Sequence, residues 1–220
     1  MLNREPGIMF FGQLNEETKM SEAVIDLSKG QRINLAKVAP ALKKVRVALS
    51  WTVNSRNTGG DFDVDVVAFA CKYNDKGEPK LIGNSWFIFY NQLTSPDGCI
   101  KHMGDNLVGS EVIDGDCETI VVDLTNISLN VEEISFIVNI HEAQARRQNF
   151  GQIRKAAIKL IDDETDSVVA QYILSEDFST EQSVQFGSLY KNENGWNFMS
   201  VGTGYNNGLD KFVLEYGGVM

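Results

Sequence analysis

Apolar and polar residues alternate along most of this 220-residue chain, and a period of two is typical of β-strands. The clearest case is residues 45–53, whose apolar face begins with Val45, Val47 and Leu49. Further strand-like segments are residues 23–27, 31–35, 66–71, 86–90, 119–124, 134–141, 156–161, 168–174, 184–190 and 196–202. We therefore expect a mainly β fold, in which about ten strands form a two-sheet β-sandwich.

The end of the chain has the period of a helix instead. Its apolar residues at the spacing i, i+3, i+4 and i+7 are Leu209, Phe212, Val213 and Tyr216. Asn206 or Asn207 is expected to cap this helix, and Gly217 is expected to end it. Residues 1–22 show no strand pattern and are interpreted as an N-terminal extension, which leaves residues 23–220 as one sandwich domain with a C-terminal helix at one edge.

Three aspartates at every second position introduce one of the predicted strands. Asp61, Asp63 and Asp65 would share one face, because successive side chains of a strand point to opposite sides. Like charges in such a row repel one another, so they are either solvated at the start of the strand or bound to a cation. Ca²⁺ takes six to eight oxygen ligands, which suits an acidic cluster. The spacing is not that of an EF-hand, which needs glycine where this chain has Val66.

A long irregular segment, residues 91–118, is rich in side-chain oxygen atoms. They belong to Asn91, Asp97, Asp105, Asn106, Asp114 and Asp116. Loops of this length are uncommon unless they have a function. Together with the aspartate row, this segment favours a calcium site built from parts of the chain that are distant in sequence.

Charge and composition narrow the function further. The formal net charge of −10 disfavours binding to nucleic acid, which depends on contacts from Lys and Arg to phosphate. No apolar run is long enough to cross a membrane or to serve as a secretory signal, so we expect a cytoplasmic protein. The cysteines Cys71, Cys99 and Cys117 form no CxxC pair and are interpreted as free thiols, although Cys99 and Cys117 in the acidic segment could also bind a soft metal or react.

Catalytic motifs are incomplete in this sequence. Residues 141–145 begin like the zinc-protease motif HExxH, but Ala145 stands where the second histidine is required. His141 is therefore interpreted as a structural residue at a strand end. The chain has no Gly-x-Ser-x-Gly motif and no Walker-type loop. We expect no enzymatic activity.

Several motifs resemble those of the TerD family of tellurium-resistance and stress proteins. They lie at residues 27–30, 61–69, 87–98, 104–106, 140–152 and 202–205, and the resemblance extends over roughly residues 24–217. It implies a calcium-binding β-sandwich associated with resistance to tellurite, chemical stress or phage. The family's acidic and amide positions correspond to Asp63, Asp65, Asn91, Asp97, Asp105, Asn106 and Asp116.

Two departures from the family pattern concern the metal. The family's Gly-Trp-Asp is Ser50-Trp51-Thr52 in this chain, and its later acidic pair is Asp116-Cys117. Each change removes a hard oxygen donor, so the second of two implied calcium ions has fewer ligands than the first.

The expected function is that of a non-enzymatic stress-response protein. One or two Ca²⁺ ions would order the acidic segment and so form a binding surface. The partner would be another protein or a membrane-associated complex. Two alternatives stay open. One is a metal-dependent phosphoester hydrolase that uses the same carboxylates, and the other is a module that binds a sugar or nucleotide through calcium.

Overall fold

The computed structural model describes residues 23–53, 63–104, 118–174, 178 and 180–219. Its strands in chain order are β1 Ile25–Leu27, β2 Arg32–Asn34, β3 Lys44–Val53, β4 Val64–Tyr73, β5 Pro79–Leu81, β6 Phe87–Ile88, β7 Ile100–His102, β8 Glu118–Asp123, β9 Glu133–Ile140, β10 Ile153–Asp162, β11 Ser167–Ile173, β12 Ser183–Asn192 and β13 Gly195–Tyr205. Its α-helices are α1 Leu35–Val38, α2 Ala143–Arg146 and α3 Leu209–Glu215.

The strands form two sheets, so the predicted β-sandwich class is confirmed. The first sheet has six strands in the order β1-β11-β10-β3-β8-β7, and the second has seven, with the path β2-β13-β12-β9-β4-β5 and with β6 paired to β4. Neighbouring strands are antiparallel except β1 and β11, which are parallel. The sheets pack face to face around one core.

The alternation of the sequence determines which side chains enter this core. Val45, Val47 and Leu49 of β3 are buried between the sheets, as their spacing predicts. Polar neighbours such as Lys44 and Arg46 line a shallow cleft on the outer face of the same sheet. Apolar residues are collected on one side of the strand, and this is what makes a two-sheet core possible.

Strand β4 is buried on both of its faces. One side carries Val64 and Val66, which belong to the core between the sheets. The other side carries Val67 and Phe69, which pack against α3, where the rings of Phe69 and Tyr216 are stacked with centroids 4.7 Å apart. The C-terminal helix therefore covers the outer face of the seven-stranded sheet.

The two ends of α3 differ in how well the sequence predicts them. Gly217 ends the helix with φ of 82°, and the amides of Gly217 and Gly218 donate to the carbonyls of Leu214 and Val213. This is the Schellman arrangement that a glycine stop predicts. The expected asparagine cap is wrong, because the N-cap residue is Gly208 and it makes no side-chain cap bond.

The differences from the predicted strands concern short elements. The segment 86–90 forms only the two-residue strand β6, preceded by a 3₁₀ turn at Asn84–Trp86. Strands β5 and β7, of three residues each, are too short to show a period. Among the described residues, no helix is long and apolar enough to span a membrane.

Candidate metal centre

The aspartate row lies at the start of β4, as the alternation predicts. Asp65 shares the outer face of the sheet with Val67 and Phe69, and only 3% of its surface is exposed. Asp63 comes just before the strand, and its carbonyl accepts a hydrogen bond of 2.8 Å from the amide of His141. A carboxylate as buried as that of Asp65 carries a large desolvation cost unless its charge is balanced. Asp61 lies outside the described residues.

Helix α2 brings a cation to these carboxylates. A guanidinium nitrogen of Arg146, Nη1, is 3.9 Å from Asp63 Oδ2, and Arg146 Nε is 3.5 Å from Glu142 Oε2. The four-residue helix lies between two residues in the left-handed conformation, Glu142 with φ of 51° and Arg147 with φ of 54°. Both are non-glycine residues, for which this conformation is uncommon. The Arg146 side chain is about one-third exposed, so we assign these ion pairs little stability.

Two buried polar side chains of the six-stranded sheet hold the backbone of β4. Glu118 Oε2 accepts a hydrogen bond of 2.6 Å from the amide of Val66, and His102 Nε2 lies 3.1 Å from the Val66 carbonyl. The amide of Gly104 donates to His102 Nδ1 at 3.2 Å, so the ring proton is on Nε2 and is donated to Val66. His102 and Glu118 are 4% and 2% exposed. We call Val66, His102 and Glu118 the inter-sheet clamp.

The clamp brings together the described residues that flank segments 54–62 and 105–117. The strand ends concerned are Val53 of β3, Val64 of β4, His102 of β7 and Glu118 of β8. Glu118 pairs in register with Leu49 of β3 and contacts Val66 of β4. These four strand ends therefore lie at the same end of the sandwich. Asp105, Asn106 and Asp116 belong to segment 105–117, outside the described residues.

Asn91 lies close to this end of β4. Strand β6 runs antiparallel to β4 from the pair Phe69–Phe87 to the pair Ala68–Ile88, so the chain after β6 returns toward Asp65. Asn91 is exposed there, in a turn closed by backbone hydrogen bonds between Phe89 and Gln92.

Asp97 organises its own loop. Its Oδ1 accepts from Ser95 Oγ at 2.6 Å and from the Cys99 amide at 3.0 Å, and its Oδ2 accepts from the Ser128 amide at 2.8 Å. Burial raises the pKa of Asp97, but these hydrogen bonds outweigh it and lower the pKa below its usual value. The Cys99 carbonyl accepts from the Asp123 amide at the end of β8, whereas Glu118 begins that strand. Asp97 therefore lies at the other end of β8 from the Glu118 contact with β4, and its assignment as a metal ligand stays a prediction.

A cavity of about 610 Å³ opens on the outer face of the seven-stranded sheet beside Asp65. Asp65 of β4 is paired with Asn139 of β9, which is paired with Ser183 of β12. The Ser183 hydroxyl donates to Asn139 Oδ1 at 2.7 Å. Helix α2 forms one wall of the cavity, and the first residues of α3 form another.

Residues 23–216 match the family model described as the TerD domain. The chain belongs to the TerD family. The resemblance expected from its motifs is therefore confirmed.

Two curated relatives show how much of the chain the TerD likeness covers. This TerD-family chain is 45% identical over 193 residues to the tellurium resistance protein TerD of Serratia marcescens, which covers 88% of this chain and 97% of that protein. It is 40% identical over 193 residues to General stress protein 16U of Bacillus subtilis (strain 168), with the same coverage. Membership in a family of tellurium-resistance and stress proteins follows.

Solved structures agree at the level of the fold. A homologue of the telluride resistance protein TerD, SCO6318 from Streptomyces coelicolor A3(2), has a TM-score of 0.60 and 18% identity, over 78% of this chain and 95% of that one. The protein of unknown function SAV2460 has a TM-score of 0.63 and 19% identity, over 81% of this chain and 99% of that one. At these identities the likeness establishes the fold of this TerD-family chain alone.

The described part of the site contains donors of the type that calcium prefers. Asp63 and Asp65 supply carboxylate oxygens, the ligand type that Ca²⁺ prefers. Within residues 63–104, 118–174 and the other described ranges, no three His, Cys, Asp or Glu side chains form a group that could hold a metal. The donor type fits calcium, and a complete site needs oxygens from segments 54–62 and 105–117.

Sequence reasoning missed the residues that position this site in the TerD fold. Glu118 shares the buried face of β8 with Ile120 and Val122. A charged residue at a position that the alternation assigns to the core was the sequence signal that could have identified it. Arg146 gave no comparable signal, because its contact with Asp63 depends on the tertiary position of α2.

The described cysteines of this TerD-family chain are unreactive by their surroundings. Cys71 and Cys99 are buried free thiols, in agreement with the expected reduced state. Burial raises the pKa of both thiols, so little of the nucleophilic thiolate is present at neutral pH. Cys117 lies outside the described residues.

Proposed function

We propose that this protein is a cytoplasmic, non-enzymatic stress-response protein that binds one or two Ca²⁺ ions at the start of β4. In this proposal Asp63 and Asp65 act as ligands together with Asn91 and the oxygens of segments 54–62 and 105–117. Bound calcium orders these acidic segments and forms a surface for a partner protein. The buried free thiols Cys71 and Cys99 support the proposed reducing compartment, since disulfides are rare there.

The observation that carries the proposal is the inter-sheet clamp. It draws the ends of segments 54–62 and 105–117 to the end of β4 where Asp65 is almost completely buried. These two segments contain five acidic residues, Asp61, Asp105, Glu111, Asp114 and Asp116, against the single basic residue Arg56. Such an accumulation of negative charge is unfavourable without a counter-ion, and a divalent cation supplies one.

Calcium titration by calorimetry tests the proposal on the full chain after treatment with a chelator. We expect saturable binding of one or two ions to the wild-type protein. Asp65→Asn should weaken it by at least about tenfold, because a neutral amide replaces a charged ligand. Asp63→Asn should act in the same direction. No binding heat from the wild-type protein would contradict the proposal.

The matched control is Asp75→Asn. Asp75 is exposed in the turn after Tyr73, at the opposite end of β4 from Asp65. This variant removes the same charge from the same protein and should bind calcium like the wild type. An equal loss of affinity in Asp75→Asn and Asp65→Asn would show that only net charge matters, and the site would then be wrong.

A further inference from the structure

The cavity beside Asp65 has a polar and well-fixed floor. Asp65 and Asn139 line it, and they are 3% and 6% exposed. Ser183, which is fully buried, holds the Asn139 side chain by the hydrogen bond to Oδ1. A volume of about 610 Å³ is in the range of small-molecule sites, which are typically about 300–1,000 Å³.

The charged groups around the cavity are mainly acidic. Asp65 lies at the floor, Glu142 lies on the wall formed by α2, and Asp210 lies on the wall formed by α3. Lys211 is the lysine of the lining, and Arg146 of α2 lies 3.5 Å from Glu142 Oε2. Three carboxylates therefore face one ammonium group and one guanidinium group, and the remaining negative charge disfavours an anionic ligand and favours a cation.

The lining of the cavity also contains apolar side chains. Ile140, Ala143 and Ala145 lie on the side of β9 and α2, and Leu209 lies on the side of α3. Tyr90 adds an aromatic ring, held edge-on to the ring of His141 with centroids 6.2 Å apart. A lining that combines carboxylates with apolar side chains matches a ligand in which ammonium groups are joined by methylene chains, and an aromatic ring adds cation–π attraction.

We propose that this cavity binds an aliphatic di- or polyamine. One ammonium group pairs with Asp65 at the floor, and a second pairs with Glu142 or Asp210 at the rim. The methylene groups between them contact Ala143 and Leu209. The inference does not require bound calcium, although Asp65 is shared with the proposed metal site; the rim carboxylates Glu142 and Asp210 are not assigned as metal ligands.

Calorimetry with spermidine and with 1,4-diaminobutane tests the inference on the full chain in the presence of chelator. We expect saturable binding with a dissociation constant below about 1 mM. The neutral 1,4-butanediol, of the same length as the diamine, should not bind. Absence of amine binding, or equal binding of the diol, would overturn the proposal.

Rim variants locate the amine. Glu142→Gln and Asp210→Asn should each weaken spermidine by about two- to fivefold, which is the range for loss of one partly exposed charge pair. The exposed control Asp75→Asn should leave the affinity unchanged. Equal weakening by all three variants would mean non-specific attraction to an acidic surface and would overturn the site.

A variant that alters volume instead of charge separates this site from the calcium site. Ala145 is exposed on α2 and lines the cavity, so Ala145→Trp fills space without disturbing the core. It should abolish spermidine binding and leave calcium titration as in the wild type. Retained spermidine affinity in a folded Ala145→Trp protein would refute the cavity as the site, whatever the calcium result.

Discussion

At the scale of single residues, the most consequential feature is how the backbone of Val66 is satisfied. Strand β6 pairs with β4 only at Ala68 and Phe69. The amide and carbonyl of Val66 instead meet the side chains of Glu118 and His102 from the other sheet. A buried amide without an acceptor is costly, so these two side chains replace a missing strand neighbour.

Replacing Glu118 tests this role. Glu118→Ala removes the acceptor and leaves the Val66 amide buried, so we expect a loss of about 1–3 kcal/mol in the free energy of unfolding. Urea denaturation measures it. The exposed Glu193→Ala, in the turn between β12 and β13, should change stability by less than about 0.5 kcal/mol. Equal stability of Glu118→Ala and wild type would contradict the clamp.

Asp123 gives a second prediction at this scale. Burial raises its pKa, but hydrogen bonds from Asn126 and Thr125 outweigh burial and lower the pKa of Asp123 to about 2. Since the folded pKa is below the unfolded value of roughly 3.9, the contribution to stability is present above pH 4 or so and is lost as the pH falls toward 2. The stability difference between wild type and Asp123→Asn should therefore shrink over that interval. Acid denaturation of both proteins measures this. A stability difference between wild type and Asp123→Asn that stays constant from about pH 4 to about pH 2 would contradict the lowered pKa of Asp123.

At the scale of elements, α3 is stabilised by its packing on β4 and β6. The helix has seven residues and no side-chain N-cap, so it is too short to be stable by itself. Phe212 and Val213 are each 2% exposed in the cluster with Phe69. The helix covers an apolar sheet face that water would otherwise contact.

Shortening one side chain of α3 measures this packing. Phe212→Ala should lower the free energy of unfolding by about 3–5 kcal/mol, because the ring leaves a cavity. Leu214, 63% exposed on the same helix, provides the control, and Leu214→Ala should cost less than about 0.5 kcal/mol. Chemical denaturation of both variants compares them. Similar losses in the two would mean that α3 does not depend on its buried face.

The same elements show what the sequence could predict. Alternation identified the inward residues of β3 and the two faces of β4, and the helical period identified Phe212 and Tyr216, because each of these patterns repeats several times. Strand β7 was missed because it has three residues. The contacts of Glu118 and Arg146 were missed because they join segments far apart in the chain, and no local period reports tertiary distance.

At the scale of the whole molecule, the described residues that flank segments 54–62 and 105–117 lie at one end of the sandwich. A net charge of −10 opposes compact folding through self-repulsion. The row of aspartates and the family motifs in the sequence identified β4 as the strand that begins with acidic residues. The sheet order places β3, β8 and β7 beside one another and opposite β4. This order, and not the sequence, indicates that the residues flanking segments 54–62 and 105–117 lie at the same end of the sandwich.

Thermal unfolding with and without calcium tests the consequence for the whole protein. A ligand that binds only the native state stabilises it by about 4 kcal/mol at a thousandfold excess over its dissociation constant. For a chain of this size each kcal/mol raises the melting temperature by about 2–4 °C, so calcium should raise it by roughly 8–16 °C after chelation. Asp65→Asn should lose most of that rise, whereas Asp75→Asn should keep it. A midpoint that does not move with calcium would mean that the carboxylates at the start of β4 are balanced by protein groups such as Arg146, whose guanidinium already approaches Asp63.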